Sequence, residues 1–165
     1  MHNGNGTRRI GLVVLGMHRS GTSAMTRVTS LLGADLPKMP MGPSRGNERG
    51  HWEPSRIVAC HNRLLTRLGS RWNDWQRLDM AHLPAAERAD LKRELSSLID
   101  ADYPEATLFV LKDPRICRLA PFYAELLSEK GVEARYLLAI RNPLAVIHSL
   151  IDRDGIWPRA AALRH

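Results

Sequence analysis

The residues of this chain best suited to chemistry are Gly16-Met17-His18-Arg19-Ser20-Gly21-Thr22-Ser23, directly behind the apolar run Ile10-Gly11-Leu12-Val13-Val14-Leu15. A buried strand that enters a glycine-bounded loop, which in turn opens a helix, makes an anion cradle. Successive backbone N–H groups and the positive end of the helix converge on one point, and glycine permits close approach. A Walker-type loop carries lysine where this chain has Thr22, and the cation has moved back to Arg19. Such a loop is poorly equipped to grip β- and γ-phosphates. It suits a single 5′-phosphate, with Arg19 placed to meet charge on a group attached to it.

Two more polar clusters follow apolar runs. Thr107-Leu108-Phe109-Val110-Leu111 leads into Lys112-Asp113-Pro114-Arg115, and Ala134 to Ile140 leads into Arg141-Asn142-Pro143. Ser149 lies eight residues beyond Arg141, two turns along a helix that starts at Asn142 or Pro143. Arg141 and Ser149 would then close on one phosphate from two directions. Taken alone, Arg141 reads as a surface arginine at a helix start. Three polar clusters at three strand ends carry more weight, because in a parallel sheet they share one rim.

The elements that must position these clusters are legible from periodicity. Residues 9–15 read as a buried strand, and Thr22 to Leu32 as a helix ended by Gly33, with Ala24, Met25, Val28, Leu31 and Leu32 on its apolar face. Ala34 to Gly50 is a long loop rich in Pro, Gly and Met, and long loops in compact domains are often functional. Glu53-Pro54 opens a second helix ending at Gly69, its inner face read as Ile57, Val58, Asn62, Leu64, Leu65 and Leu68. Ser70 to Ala81 carries Trp72 and Trp75, which either cap the core, the favoured reading, or line an acceptor pocket. Pro84 begins a charged amphipathic helix to about Asp102, with Leu91, Leu95, Leu98 and Ile99 inward and its charges on a solvated face. The strand 107–111 is followed by a helix from Pro121 to Lys130, stopped by Gly131. The strand 134–140 precedes a helix from Pro143 to about Arg153, and another helix begins near Pro158. Strands alternating with helices predict an α/β fold: a parallel sheet with right-handed crossovers and helices on both faces, the ligand at the carboxyl ends of the strands.

Composition narrows the function classes. The 165 residues suit one domain, with residues 1–8 a polar tail and 9–165 the folded unit. Lys and Arg total 24 against 17 Asp and Glu, a formal charge of +7, and only Lys38, Lys92, Lys112 and Lys130 are lysines. Arginine-rich charge favours forked recognition of phosphate or sulfate. The sequence holds no RNA-binding aromatic motif, zinc-finger spacing or dense basic run, so nucleic acid is not the expected partner. Cys60 and Cys117 are far apart and outside any CxxC, which predicts reduced, buried thiols. No stretch approaches transmembrane length and the polar N-terminus lacks a signal-peptide core, so a cytoplasmic location is expected.

The first and third clusters together, in this order, resemble the sulfotransferases that use 3′-phosphoadenosine 5′-phosphosulfate (PAPS), particularly their bacterial and Golgi-like branch. Arg19-Ser20-Gly21-Thr22 resembles the family's 5′-phosphosulfate loop, and Arg141-Asn142-Pro143 with Ser149 its 3′-phosphate motif. Leu111-Lys112-Asp113-Pro114-Arg115 and Gly50-His51-Trp52-Glu53 are also similar to segments of this branch. The resemblance spans residues 9–155 and implies a three-layer α/β/α fold of the P-loop type.

The resemblance implies that Arg19, Ser20, Gly21, Thr22 and Ser23 hold the 5′-phosphate, and that Arg141 and Ser149 bind the 3′-phosphate and so distinguish this donor from ATP. Arg19 falls where the family places a cation on the bridging oxygen, neutralising charge on the leaving phosphate. The implied reaction is in-line transfer of a sulfuryl group from PAPS to an acceptor hydroxyl or amine, without metal. Glu53 is the candidate general base, with His51 and Glu48 behind it. The other reading of Glu53 is a carboxylate at the start of a helix. Lys112 resembles a lysine that relatives place near the sulfuryl group; otherwise it pairs with neighbouring Asp113. Arg115 and Asp113 would organise the rim, and His18 is a weaker candidate within the loop.

Family domains run further after the 3′-phosphate helix, so the chain is expected to be incomplete at its C-terminus, and an exposed apolar edge would favour association. Small-molecule, carbohydrate and peptide acceptors all remain open. Two other functions compete. A P-loop kinase-type phosphotransferase would bind Mg-ATP and use Asp113 for the metal. A non-catalytic nucleotide- or polyanion-binding domain would bind with salt sensitivity and no nucleotide preference.

Overall fold

The computed structural model describes residues 8–44, 46–74 and 76–154. Trp75, most of the polar tail and the helix expected near Pro158 lie outside them. Three parallel strands, β1 (Arg9–Leu15), β2 (Leu108–Lys112) and β3 (Val132–Leu138), form a sheet of order β2-β1-β3. Helices α1 (Thr22–Leu31), α2 (Ser55–Arg67), α3 (Ala85–Asp102), α4 (Ile116–Glu129) and α5 (Pro143–Asp154) complete this α/β fold.

The pleat sorts the side chains of β1 and β2 between two cores. Val13, Phe109 and Leu111 join one, with Ile57, Leu64, Leu95, Ile99, Leu119 and Tyr123 from α2, α3 and α4. Val14 and Val110 face the other way with Ala34, and Met25 of α1 packs there. Apolar residues on both faces of a strand are the signature of a covered parallel sheet, which is why these runs are continuously hydrophobic.

Several boundaries and faces differ from expectation. Helix α4 begins at Ile116, and Pro121 lies inside it. Asp113 Oδ1 accepts from the Arg115 N–H at 3.0 Å, and the Ile116 and Cys117 N–H groups bond back to the Asp113 and Pro114 carbonyls. Asp113-Pro114 is therefore the start signal, and Pro121 only removes one later donor. Strand β3 begins two residues before the predicted Ala134 and ends at Leu138. On α1 the fully buried residues are Thr22 and Thr26; of the expected apolar face only Met25 packs inward, while Ala24, Val28, Leu31 and Leu32 are exposed. Burial of Thr26 is tolerated because its Oγ1 donates to the Thr22 carbonyl at 2.9 Å, which pairs that hydroxyl within the helix. On α2, His61 is buried where Asn62 was expected, and Asn62 is exposed.

The charged face of α3 bridges to its neighbour. Arg88 and Lys92 pair with Glu125 on α4, and Lys92 also reaches Glu129. Of the two free cysteines, Cys60 is buried as predicted but Cys117 is exposed, its Sγ accepting from the Gly16 N–H at 3.0 Å. No helix among the described residues is long and apolar enough to cross a membrane.

Candidate functional site

Parallel pairing puts the three strand ends on one rim: Val14 is opposite Lys112, and Leu15 opposite Leu138. Gly16 then passes so close to the third strand's exit that a Cβ would sit 2.8 Å from the Ala139 carbonyl oxygen and 2.9 Å from Thr22 Cγ2. Arg19 has φ +70°, a left-handed conformation uncommon for a non-glycine residue and concentrated at functional sites. Gly21, with φ +89°, leads into α1, whose first turn has no side-chain cap and no acidic residue. The positive end of the helix thus faces the loop uncovered. The Ser20 N–H bonds back to the Met17 carbonyl at 3.1 Å and shapes the turn.

Arg19 is the junction of the rim. Its Nε donates to Ser149 Oγ at 2.8 Å, and its Nη1 donates to the Gly46 carbonyl. Arg141 Nη1 in turn donates to the Arg19 carbonyl at 2.9 Å. The expected pair Arg141 and Ser149 is therefore brought together through Arg19. Arg19, Thr22, Ser23, Glu53, Lys112 and Arg141 are among the walls of a cleft of about 240 Å³; Ser149 reaches it only through Arg19. A larger groove, about 800 Å³ and formed by α3 and α4, is lined by their ion-paired side chains and holds none of the strand-end residues.

Lys112 supplies the cation that the loop lacks. It is 2% exposed, and its Nζ donates to Ser23 Oγ at 3.2 Å on the first turn of α1. It also donates to the His51 carbonyl at 3.1 Å and to Glu53 Oε1 at 2.5 Å. Its salt-bridge partner is thus Glu53, where the sequence suggested Asp113. Asn47 Nδ2 donates to the same Ser23 hydroxyl at 3.2 Å, so the Ala34–Gly50 loop does reach the site.

Glu53 does not act as a helix cap. Helix α2 starts at Ser55 after Pro54, with no side-chain cap. The Glu53 carboxylate, 3% exposed, turns instead to Lys112, with Arg115 Nη1 3.6 Å from its second oxygen. Burial raises its pKa above the usual carboxylate range, against the attraction of Lys112; the charge of Asp113 adds to the rise. His51 bonds through Nε2 to Ser44 Oγ at 2.7 Å, and its Nδ1 lies 3.9 Å from Glu53. Burial and the cations around it, Lys112 first, lower its pKa and keep it neutral at pH 7. Glu48 is exposed, is not among the cleft's walls, and accepts from the Gly46 N–H at 2.8 Å, bracing the turn that carries Gly46 and Asn47.

His18 packs edge-on against Trp72 with ring centroids 4.8 Å apart. Burial, then the charge of Arg115, pushes its pKa down to about 3, so it carries no positive charge at neutral pH. Trp72 is half-buried and flanks the loop, with the Arg153 guanidinium 5.4 Å from its ring; it belongs to neither core.

Behind the rim lies a network that sequence reasoning missed. Asp113 Oδ1 accepts from Arg115 Nη1 at 2.8 Å, and its Oδ2 meets His61 Nδ1 at 2.7 Å. His61 Nε2 meets the Tyr123 hydroxyl at 2.7 Å, all three residues being fully buried. The available signal was a histidine at the core phase of α2, four residues after Ile57 and three before Leu64.

The chain matches no family model, no curated protein and no solved structure.

Proposed function

We propose that this chain is a sulfotransferase that moves a sulfuryl group from PAPS to an acceptor hydroxyl or amine. The observation carrying this reading is the convergence, in one cleft, of the uncapped α1 N-terminus, the buried Lys112 ammonium and the arginines Arg19 and Arg141. Residues of these types fit a donor with two separate anionic groups. Thr22, Ser23 and the first-turn N–H groups of α1 would hold the 5′-phosphate, and Arg141, with Ser149 beside Arg19, the 3′-phosphate. The donor supplies the activated sulfuryl group. Arg19 and Lys112 would stabilise negative charge at that end of the cleft, the preorganised electrostatics on which such reactions depend. Glu53 would take the acceptor's proton at its carboxylate, and His51, neutral and adjacent, would border the acceptor's approach. The P-loop type of the fold, as distinct from α/β in general, belongs to this proposal.

The kinase alternative is weakened by Asp113. Both of its oxygens are committed to Arg115 and His61, which leaves it badly placed to hold a metal for ATP.

Calorimetric titration with 3′-phosphoadenosine 5′-phosphate, with AMP and Mg-ATP in parallel, tests the reading. The expected result is preference for the bisphosphate, lost in Arg141→Ala. Preference for Mg-ATP supports the kinase alternative, and equal, salt-sensitive binding of all three supports a polyanion-binding domain.

A further inference from the structure

The three N–H donors of the Lys112 ammonium are all engaged, by Glu53, Ser23 and the His51 carbonyl, so a further acceptor must displace one of them. The Lys112 Nζ is 2.5 Å from Glu53 Oε1 and 3.2 Å from Ser23 Oγ, at the mouth of α1. An anion seated on the first turn of α1 competes with Glu53 for the same ammonium. We propose that Lys112 is exchanged between Glu53 and the bound anion, so that filling the anion site frees Glu53 to accept a proton. The proposal rests on the cleft being an anion site, the first half of the function proposed above.

The surroundings of Glu53 make the exchange consequential. The charged and titratable groups that face it are Lys112, Arg115 at 3.6 Å, Asp113 and His51 at 3.9 Å. Arg115 is held by Asp113 Oδ1 at 2.8 Å, nearer than its approach to Glu53. Lys112 is therefore the principal cation on this carboxylate. Once the ammonium turns to an anion, a buried carboxylate is left near Asp113 and near the new negative charge, and both favour its protonated form. Without an acceptor, that proton comes from solvent to a Glu53 oxygen. With an acceptor present, the acceptor's own proton can take its place. The base is thus masked until the anion arrives.

Binding that takes up a proton weakens as pH rises, by up to tenfold per pH unit for one proton. Sulfate serves as the probe because it stays doubly charged across about pH 5 to 8, so any pH dependence belongs to the protein. Its affinity is measured from amide shifts of Thr22 and Ser23 in the wild-type chain, Glu53→Gln and His51→Gln. Proton uptake is measured independently, by calorimetry of the wild-type chain in buffers of different ionisation heat. The expected results are wild-type affinity that falls with pH, accompanied by proton uptake, and tighter, pH-independent binding by Glu53→Gln. His51→Gln should keep the slope. A slope that survives in Glu53→Gln, no gain in its affinity, or zero proton uptake overturns the exchange while leaving the anion site intact. Absence of sulfate shifts at Thr22 and Ser23 overturns both the exchange and the anion site. A correct slope combined with no preference for the bisphosphate nucleotide supports the exchange and removes only the sulfotransferase reading.

Discussion

Arg19 and Ser149, 130 positions apart in sequence, are joined by a hydrogen bond of 2.8 Å from Nε to Oγ. This bond ties the loop after β1 to helix α5, and a backbone contact to Gly46 draws the long loop to the same guanidinium. One arginine therefore sets the spacing of three segments around the cleft. Its left-handed backbone is affordable because those segments over-determine its position.

Arg19→Lys should keep the charge and lose the fork, since an ammonium cannot reproduce the planar pair of directions to Ser149 and Gly46. Under the proposed sulfotransferase reading, turnover with PAPS should fall about 100-fold, while affinity for 3′-phosphoadenosine 5′-phosphate changes by less than about tenfold. Comparing kcat with calorimetric Kd checks this. Equal losses in both would assign Arg19 to ground-state binding.

Gly16→Ala should destabilise the fold by about 2 kcal/mol, because the new methyl meets the Ala139 carbonyl and the Thr22 side chain below van der Waals distance. Urea unfolding should show a lower midpoint with an unchanged slope. An unaltered midpoint would mean that β1 and the third strand's exit separate easily.

Asp113 links stability to acid. Burial opposes its ionisation, yet the hydrogen bond and charge of His61 and the charge of Arg115 prevail and hold its pKa well below the usual carboxylate range. A carboxylate depressed in the folded state contributes stability that is present above its unfolded value, about 4, and lost as pH falls through the folded one. Wild-type Tm should therefore drop below about pH 4, and Asp113→Asn should be flatter there. At neutral pH Asp113→Ala should cost about 3 kcal/mol by leaving Arg115 and His61 without their shared acceptor. Tm equal to wild type at pH 7 would contradict that role.

The β3 side of the sheet exposes Tyr136, Leu138, Ile140 and Leu144, the third of these at 82%. β3 is also an edge of the sheet as described. Apolar side chains on an open edge favour association. Light scattering is expected to show a mass that rises with concentration, and Leu138→Lys with Ile140→Glu should return it to the monomer. A concentration-independent monomer in the unaltered chain would remove this prediction.

The sequence by itself determined the strand–helix alternation, the loop behind β1 and the placing of three polar clusters at three strand ends. Those follow from local rules: apolar runs, glycine and proline punctuation, and the parallel connection they impose. It also marked Arg19, Ser23, Lys112 and Arg141 as residues worth chemistry, since each sits at a strand end, whereas Glu53 and His51 are singled out through the family resemblance. Only the tertiary structure decided their partners. Lys112 chose Glu53 over the adjacent Asp113, and Asp113 chose His61, 52 positions away. Periodicity reports which residues face inward, but pairing depends on distances that arise only when separate elements pack. The same reason explains α1. Of its predicted apolar stripe Met25 packs inward, yet the fully buried places went to Thr22 and to Thr26, whose hydroxyl bonds within the helix, because the surface they meet, and not the helix alone, selects what is buried.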